Sequence, residues 1–162
     1  MVVEFQKILI VQTAFIGDVV LATPLIEKLH GHFPDAQLDF LLRKGNENLL
    51  ENHPYLTNLM VWDKKNSKMK NLFTLIGKVK NERYDLLVNV QRFGATGMLS
   101  MLSKAKVKVG FDKNPFSFSF NRKIPHEIGN GKHEVERNLD LIQEWTDNKF
   151  TSPKLHLCFI TF

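Results

Sequence analysis

KILIVQTAFIGDVVLATPLIEKL, Lys7 to Leu29, is the stretch whose reading decides the fold. It is a short apolar run, a turn with one glycine, and then an apolar segment at helical spacing. Ile8 to Val11 is aliphatic without alternation, the pattern of a strand buried on both faces in a parallel sheet. From Val19 onward Val19, Ala22, Ile26 and Leu29 recur every three or four residues, so a helix follows the turn and lays one stripe on the sheet. Strand, turn and helix in this order open a βαβ unit. In open α/β sheets ligands gather beyond the carboxyl ends of the strands, near the point where strand order reverses. Asp18, directly after Gly17, stands at that rim.

Moving outward, Phe33-Pro34 ends the first helix, and Gln37–Leu42 reads as a second strand. Residues 45–52 suggest a short helix, Leu59–Trp62 a third strand and Asn71–Glu82 a helix with Leu72, Phe73, Leu75, Ile76 and Val79 inward. Tyr84–Val90 is a fourth strand, Gly94–Lys104 a helix burying Met98, Leu99, Met101 and Leu102, and Val107–Phe111 a fifth strand. Strands alternating with helices predict a doubly wound parallel sheet of Rossmann-like α/β class. Residues 112–131 break the rhythm with two prolines, two glycines and three phenylalanines; so long an irregular stretch is more often functional than idle. His133–Trp145 resumes as a helix, and LHLCFITF closes the chain as a strand-like apolar run. Pro24, inside the first helix, is expected to bend it.

With 162 residues, 43% of them hydrophobic, the chain suits one domain with a substantial core. No apolar run approaches the ~18 residues of a membrane span, and the start lacks a signal-peptide core, so a cytoplasmic protein is expected. Cys158, the single cysteine, offers neither a disulfide nor a metal cluster, and His30, His32 and His53 lack ligand spacing; no metal is expected. The net charge of +5 is unevenly spread: residues 1–60 hold four Lys or Arg against seven Asp or Glu, and the remainder eighteen against ten. Lys64, Lys65, Lys68 and Lys70 form one basic cluster, Lys104, Lys106, Lys108 and Lys113 a second, Arg122 and Lys123 a third. Such surfaces suit phosphates on nucleic acid, an anionic membrane or a phosphorylated sugar; a merely solvated helix face is the plainer reading. No GxGxxG or GxxxxGK follows the first strand, which counts against a flavodoxin-like module binding a nucleotide or phosphorylated ligand without catalysis. No helix combines a base-reading face with flanking cations, so no nucleic-acid partner is expected.

Several segments, taken in order, resemble the N-terminal half of the lipopolysaccharide heptosyltransferases of glycosyltransferase family 9. They are ILIVQTAFIGDVVLATP at Ile8–Pro24, YDLLVNVQ at Tyr84–Gln91, VGFD at Val109–Asp112, FNRK at Phe120–Lys123 and HEVER at His133–Arg137. The resemblance implies a GT-B enzyme, two Rossmann-like domains facing a cleft, with this chain as the acceptor-side domain over residues 1–150. Residues 151–162 would begin the link to a C-terminal domain that binds a nucleotide-diphospho-sugar donor. It implies an inverting transfer of heptose or a related sugar to the lipopolysaccharide core, in the cytoplasm and peripheral to the inner membrane. It needs no cofactor and no metal, and this chain alone would be inactive.

Asp18 matches the family's general base; its plainer rival role is to accept the free N–H groups of the first helical turn. The implied acceptor-binding residues are Thr13, Gly17, Gln91, Arg122 and Lys123, with the Lys64–Lys70 stretch as a second basic loop. Ala14 and Phe15 depart from the hydroxyl residues common in this turn, and Asn89 replaces a common aspartate. Gly17 otherwise serves backbone geometry, and His133 the start of a helix.

Overall fold

A computed structural model describes residues 3–156. Six parallel strands form one sheet in the order β3-β2-β1-β4-β5-β6, the doubly wound order with its reversal between β1 and β4. In chain order the elements are β1 (Lys7–Val11), α1 (Ile16–His32), β2 (Gln37–Arg43), β3 (Asn58–Trp62), α2 (Lys68–Glu82), β4 (Leu86–Asn89), α3 (Gly94–Leu102), β5 (Val107–Phe111), β6 (Arg122–Ile124) and α4 (Glu134–Asp140). Single 3-10 turns replace the crossover helices between β2 and β3 and between β5 and β6.

β1 lies at the centre because its side chains find apolar partners on both faces. Ile8 and Ile10 pack with α1 and α4, Leu9 and Val11 with α2 and α3, all four fully buried. Burying each such side chain is worth ~1.5–3 kcal/mol before the entropy of ordering is subtracted. The stripe Val19, Ala22, Ile26 and Leu29 faces the sheet as its spacing predicts. Helix α1 runs unbroken through Pro24. Proline removes the donor for the Val20 carbonyl, and the Thr23 hydroxyl supplies one at 2.8 Å.

Several sequence expectations need correction. The residue 45–52 helix is a 3-10 turn over Glu47–Leu49, and α4 ends at Asp140, with a separate 3-10 turn over Gln143–Trp145. Phe73 and Leu102 are exposed; α3 instead buries Thr96, Gly97, Leu99 and Ser100, small residues that admit close packing. The irregular stretch contains β6, a three-residue edge strand too short to show a period. Cys158 and most of the apolar tail lie outside the described residues. Among the described residues no helix is long and apolar enough to cross a membrane.

Candidate active site

At the reversal between β1 and β4 the two strands send their chains to opposite sides, and a cleft of about 170 Å³ opens at the carboxyl rim. It is lined by Gln12, Ala14, Phe15 and Asp18 after β1, by Val90–Phe93 after β4, and by His126 and Glu134 ahead of α4 and in its first turn.

Asp18 is the third residue of α1, three places past the N-cap residue Phe15. Phe15, the N-cap, has no side-chain acceptor, and Asp18 Oδ2 takes the Phe15 N–H at 3.1 Å. The carboxylate thus sits where the free N–H groups of the first turn favour negative charge, with its second oxygen left for another donor. Gly17, beside it, is not required by the fold: its φ is outside the left-handed region, and an added Cβ would meet nothing within 4 Å.

The turn that carries Asp18 is tied down by side chains. Gln12 Oε1 accepts the Ala14 N–H at 3.1 Å, and Asn46 Nδ2 donates to the Ala14 carbonyl at 3.2 Å. Thr13 is fully buried, and its hydroxyl donates to Gln91 Oε1 at 2.6 Å. That bond occupies the oxygen end of the Gln91 amide and leaves its NH₂ donors for the cleft. Asn89 is also fully buried: Oδ1 accepts the Gln91 N–H at 2.9 Å, and Nδ2 donates to the Ser100 hydroxyl at 3.0 Å. A neutral amide does both tasks, which a carboxylate could not.

Asn114 is a residue that sequence reading missed. Its Nδ2 donates to the carbonyls of Gln91 and Phe93, both at 3.1 Å, so it fixes the far wall of the cleft. Gly97 admits it, since a Cβ there would stand 2.0 Å from Asn114 Oδ1. His126 is a second missed residue. Its ring is buried edge-on to Phe111, with centroids 4.7 Å apart, and its Nδ1 has no hydrogen-bond partner among the described residues. Burial, then the Arg92 guanidinium, holds this imidazole below its ordinary pKa. No local pattern marks either residue; only the fold brings them to the rim. His133 caps α4, its Nδ1 accepting the Val135 N–H at 3.2 Å while Glu136 accepts the His133 N–H at 2.7 Å.

Of the residues singled out in the sequence, Asp18 and Gln91 line the cleft, Thr13 stands behind Gln91 and Gly17 beside Asp18. Arg122 and Lys123 are on β6 rather than in a loop, and neither lines the cleft; Arg122 pairs with Glu144 at 2.5 Å. The Lys64–Lys70 stretch is likewise only partly a loop, because Lys68 and Lys70 lie in the first turn of α2. Lys64 reaches the site's own turn, donating to the Thr13 carbonyl at 2.6 Å and lying 4.7 Å over the Trp62 ring. Burial, then Arg43 and Lys68, push its ammonium down to about 8. Arg43 in turn stacks over Phe15 at 5.1 Å, joining this cluster to the Asp18 rim.

The family model described as glycosyltransferase family 9 (heptosyltransferase) matches residues 72–158. Lipopolysaccharide heptosyltransferase 3 of Escherichia coli is 33% identical over 137 residues, 79% of this chain and 39% of that protein. Lipopolysaccharide core heptosyltransferase OpsX of Haemophilus influenzae is 29% identical over 106 residues, 65% of this chain and 30% of that protein. The chain therefore spans well under half the length of the curated relatives it matches. Among solved structures, a glycosyltransferase family 9 protein of Veillonella parvula superposes with a TM-score of 0.86 at 18% identity, covering 98% of this chain and 47% of that one. The E. coli heptosyltransferase WaaC with ADP-2-deoxy-2-fluoro heptose superposes with a TM-score of 0.73 at 20% identity, over 92% of this chain and 51% of that one.

Proposed function

The chain belongs to glycosyltransferase family 9, and on that premise we propose that it is the acceptor-side half of an inverting heptosyltransferase. Residues 1–150 form the acceptor domain, and residues 151–162 begin the link to a donor-binding domain, completing a GT-B enzyme. The donor is a nucleotide-diphospho-heptose and the acceptor the phosphorylated core of lipopolysaccharide. The working place is the cytoplasmic face of the inner membrane, where the basic clusters would meet anionic lipid. The observation that carries the reading is the position of Asp18: a half-buried carboxylate on the wall of the cleft at the sheet's reversal, capping the helix with one oxygen only.

In the proposed reaction Asp18 takes the proton from an acceptor hydroxyl as that oxygen bonds to the anomeric carbon. The bond from that carbon to the diphosphate oxygen breaks, and its electron pair leaves with the diphosphate from the opposite face. One carboxylate suffices, because the leaving group is already a stable anion and the carbon has oxocarbenium character. Gln91, held by Thr13, would donate to an acceptor oxygen, and Gly17 would leave room for the sugar to approach. The phosphates of the acceptor have two candidate seats, the Arg43–Lys64–Lys68 cluster on this rim and Arg122 with Lys123 on β6.

Asp18→Asn tests the central role. Asparagine accepts the Phe15 N–H about as well as aspartate, but cannot take a proton. In a two-domain protein completed with a second half, the variant is expected to fold, bind acceptor and turn over at least ~10²-fold more slowly. Turnover within a few-fold of the parent, with folding and acceptor binding intact, would assign Asp18 to helix capping alone.

A further inference from the structure

Far from the cleft, the fold assembles a group that no sequence spacing announces. Glu27 lies nine residues after Asp18 on α1, roughly 13 Å along the helix axis. His53 follows the 3-10 turn after β2, and His156 lies near the end of the described chain. One ligand-capable atom from each falls within 4.8 Å of the other two. His156 Nε2 is 2.7 Å from Glu27 Oε1, and His53 Nε2 is 3.4 Å from the same oxygen. The His53 side chain is fully buried, and its Nε2, aimed into the group, has no hydrogen-bond partner among the described residues.

We propose that Glu27, His53 and His156 form a structural site for a borderline divalent transition-metal ion of the zinc class. Two imidazoles and one carboxylate are the donor set such ions take, with water completing a tetrahedron. Zinc bonds of ~2.0–2.1 Å place neighbouring ligand atoms about 3.3 Å apart, close to the His53–Glu27 separation. The Glu27–His156 pair need open by only about half an ångström to match. Glu27 and His156 are partly exposed, which gives the ion a way in, and His53 closes the inner side.

Binding also orders the protons. The proton shared between His156 and Glu27 leaves on metal binding, as does any proton on His53 Nε2. In the metal-free protein the Tyr55 N–H points at His53 Nδ1, 3.2 Å away. With a metal on Nε2 the neutral ring carries its proton on Nδ1, so that nitrogen no longer accepts and the Tyr55 N–H has to turn aside.

The consequence is mechanical. The segment that ends in His156 already lies along α1, with the Lys154 N–H donating to the Thr23 hydroxyl at 3.0 Å and Lys28 bridging to Asp147 at 2.8 Å. A metal at its end would lock the chain beyond α4 onto α1, the helix whose first turn holds Asp18.

Cobalt(II) titration of the purified 162-residue chain reads the site directly, through the visible bands of tetrahedral cobalt. The expected result is one saturable site, its bands erased by added zinc. His156→Ala, a change in a partly exposed tail that leaves the core untouched, should weaken cobalt binding at least ~10-fold, since even outer partners of metal ligands cost that much. Glu27→Gln should do likewise. His32→Ala, which removes a nearby histidine outside the group, should leave it unchanged. Zinc should raise the melting temperature of the parent and not that of His156→Ala. No saturable binding to the parent, or binding that survives His156→Ala, overturns the proposal; loss in His32→Ala instead would place the ion elsewhere.

Discussion

Two cationic regions that look alike in the sequence are in different physical states in the fold. At the carboxyl rim of β2 and β3, Arg43, Lys64 and Lys68 crowd one another with no carboxylate partner among the described residues, and Lys64 is half-buried and depressed to about 8. Toward the β5–β6 edge several cations are matched, Arg122 to Glu144 at 2.5 Å, Lys106 to Asp85 at 2.7 Å and Lys132 to Asp140 at 2.6 Å, although Lys123 has no carboxylate partner among the described residues. An exposed matched pair contributes about 0–1 kcal/mol and leaves little attraction for a further anion. Mutually repelling cations are the reverse, because a bound phosphate would relieve a cost that the free protein carries. Lys68 and Lys70 sharpen the point, since lysine in the first turn of a helix works against the helix dipole.

The largest effect expected from this difference is on acceptor capture. In a two-domain enzyme, replacing Arg43, Lys64 and Lys68 together with glutamine should raise the acceptor KM at least ~10-fold, because each charge-assisted bond to phosphate is worth about 1.5–3 kcal/mol. Arg122→Gln with Lys123→Gln should raise it less and leave the melting temperature nearly unchanged. Steady-state kinetics on both variants with one acceptor preparation decides the matter. A larger effect from the β6 pair would move the phosphate seat to that edge and make the rim cluster a solvated surface.

A smaller effect is expected at Gly17, which lies on the same rim but carries no charge. Alanine there meets no atom of the chain and gains helix propensity, so Gly17→Ala should stabilise the domain by about 0.5–1 kcal/mol. If the sugar approaches over this residue, the same variant should raise the acceptor KM several-fold. A stabilised protein with unchanged KM would mean that nothing passes over Gly17.

How much of this was legible beforehand varied with the kind of signal. The strands β1 and β4 announced themselves, since residues buried on both faces read as near-continuous aliphatic runs, and β2 and β5 were legible from β-branched and aromatic residues between turn signals. Asp18 was legible because the strand, turn and helix around it are contiguous in sequence. The edge strand β6 was not, for three residues among prolines and phenylalanines carry no period. Nor were Asn114 and His126, which reach the cleft from the far side of β5, or the Glu27, His53 and His156 group, whose members lie on three separate segments. The partner of each cation was equally hidden: Lys64 and Arg122 both stand in basic stretches, and only tertiary neighbours crowd the one with cations and give the other Glu144.

The smallest expected effect isolates Lys64 by its titration. Its folded value, about 8, lies below the 10.5 of an ordinary lysine. Between those values the unfolded chain keeps a proton that the folded chain has released, so this residue's contribution to stability grows as pH rises through about 8 toward 10.5. Affinity for a phosphorylated acceptor must move the other way, because the ammonium that attracts it is being lost over the same range. Lys64→Arg keeps its charge throughout, so it should remove both trends while preserving the cluster. From about pH 7 to about 9.5 the parent should therefore lose a few-fold in acceptor affinity while its melting temperature rises relative to that of Lys64→Arg, which should show neither trend. A parent whose acceptor affinity follows the same pH curve as Lys64→Arg would show that Lys64 keeps its proton on the Thr13 carbonyl and takes no phosphate.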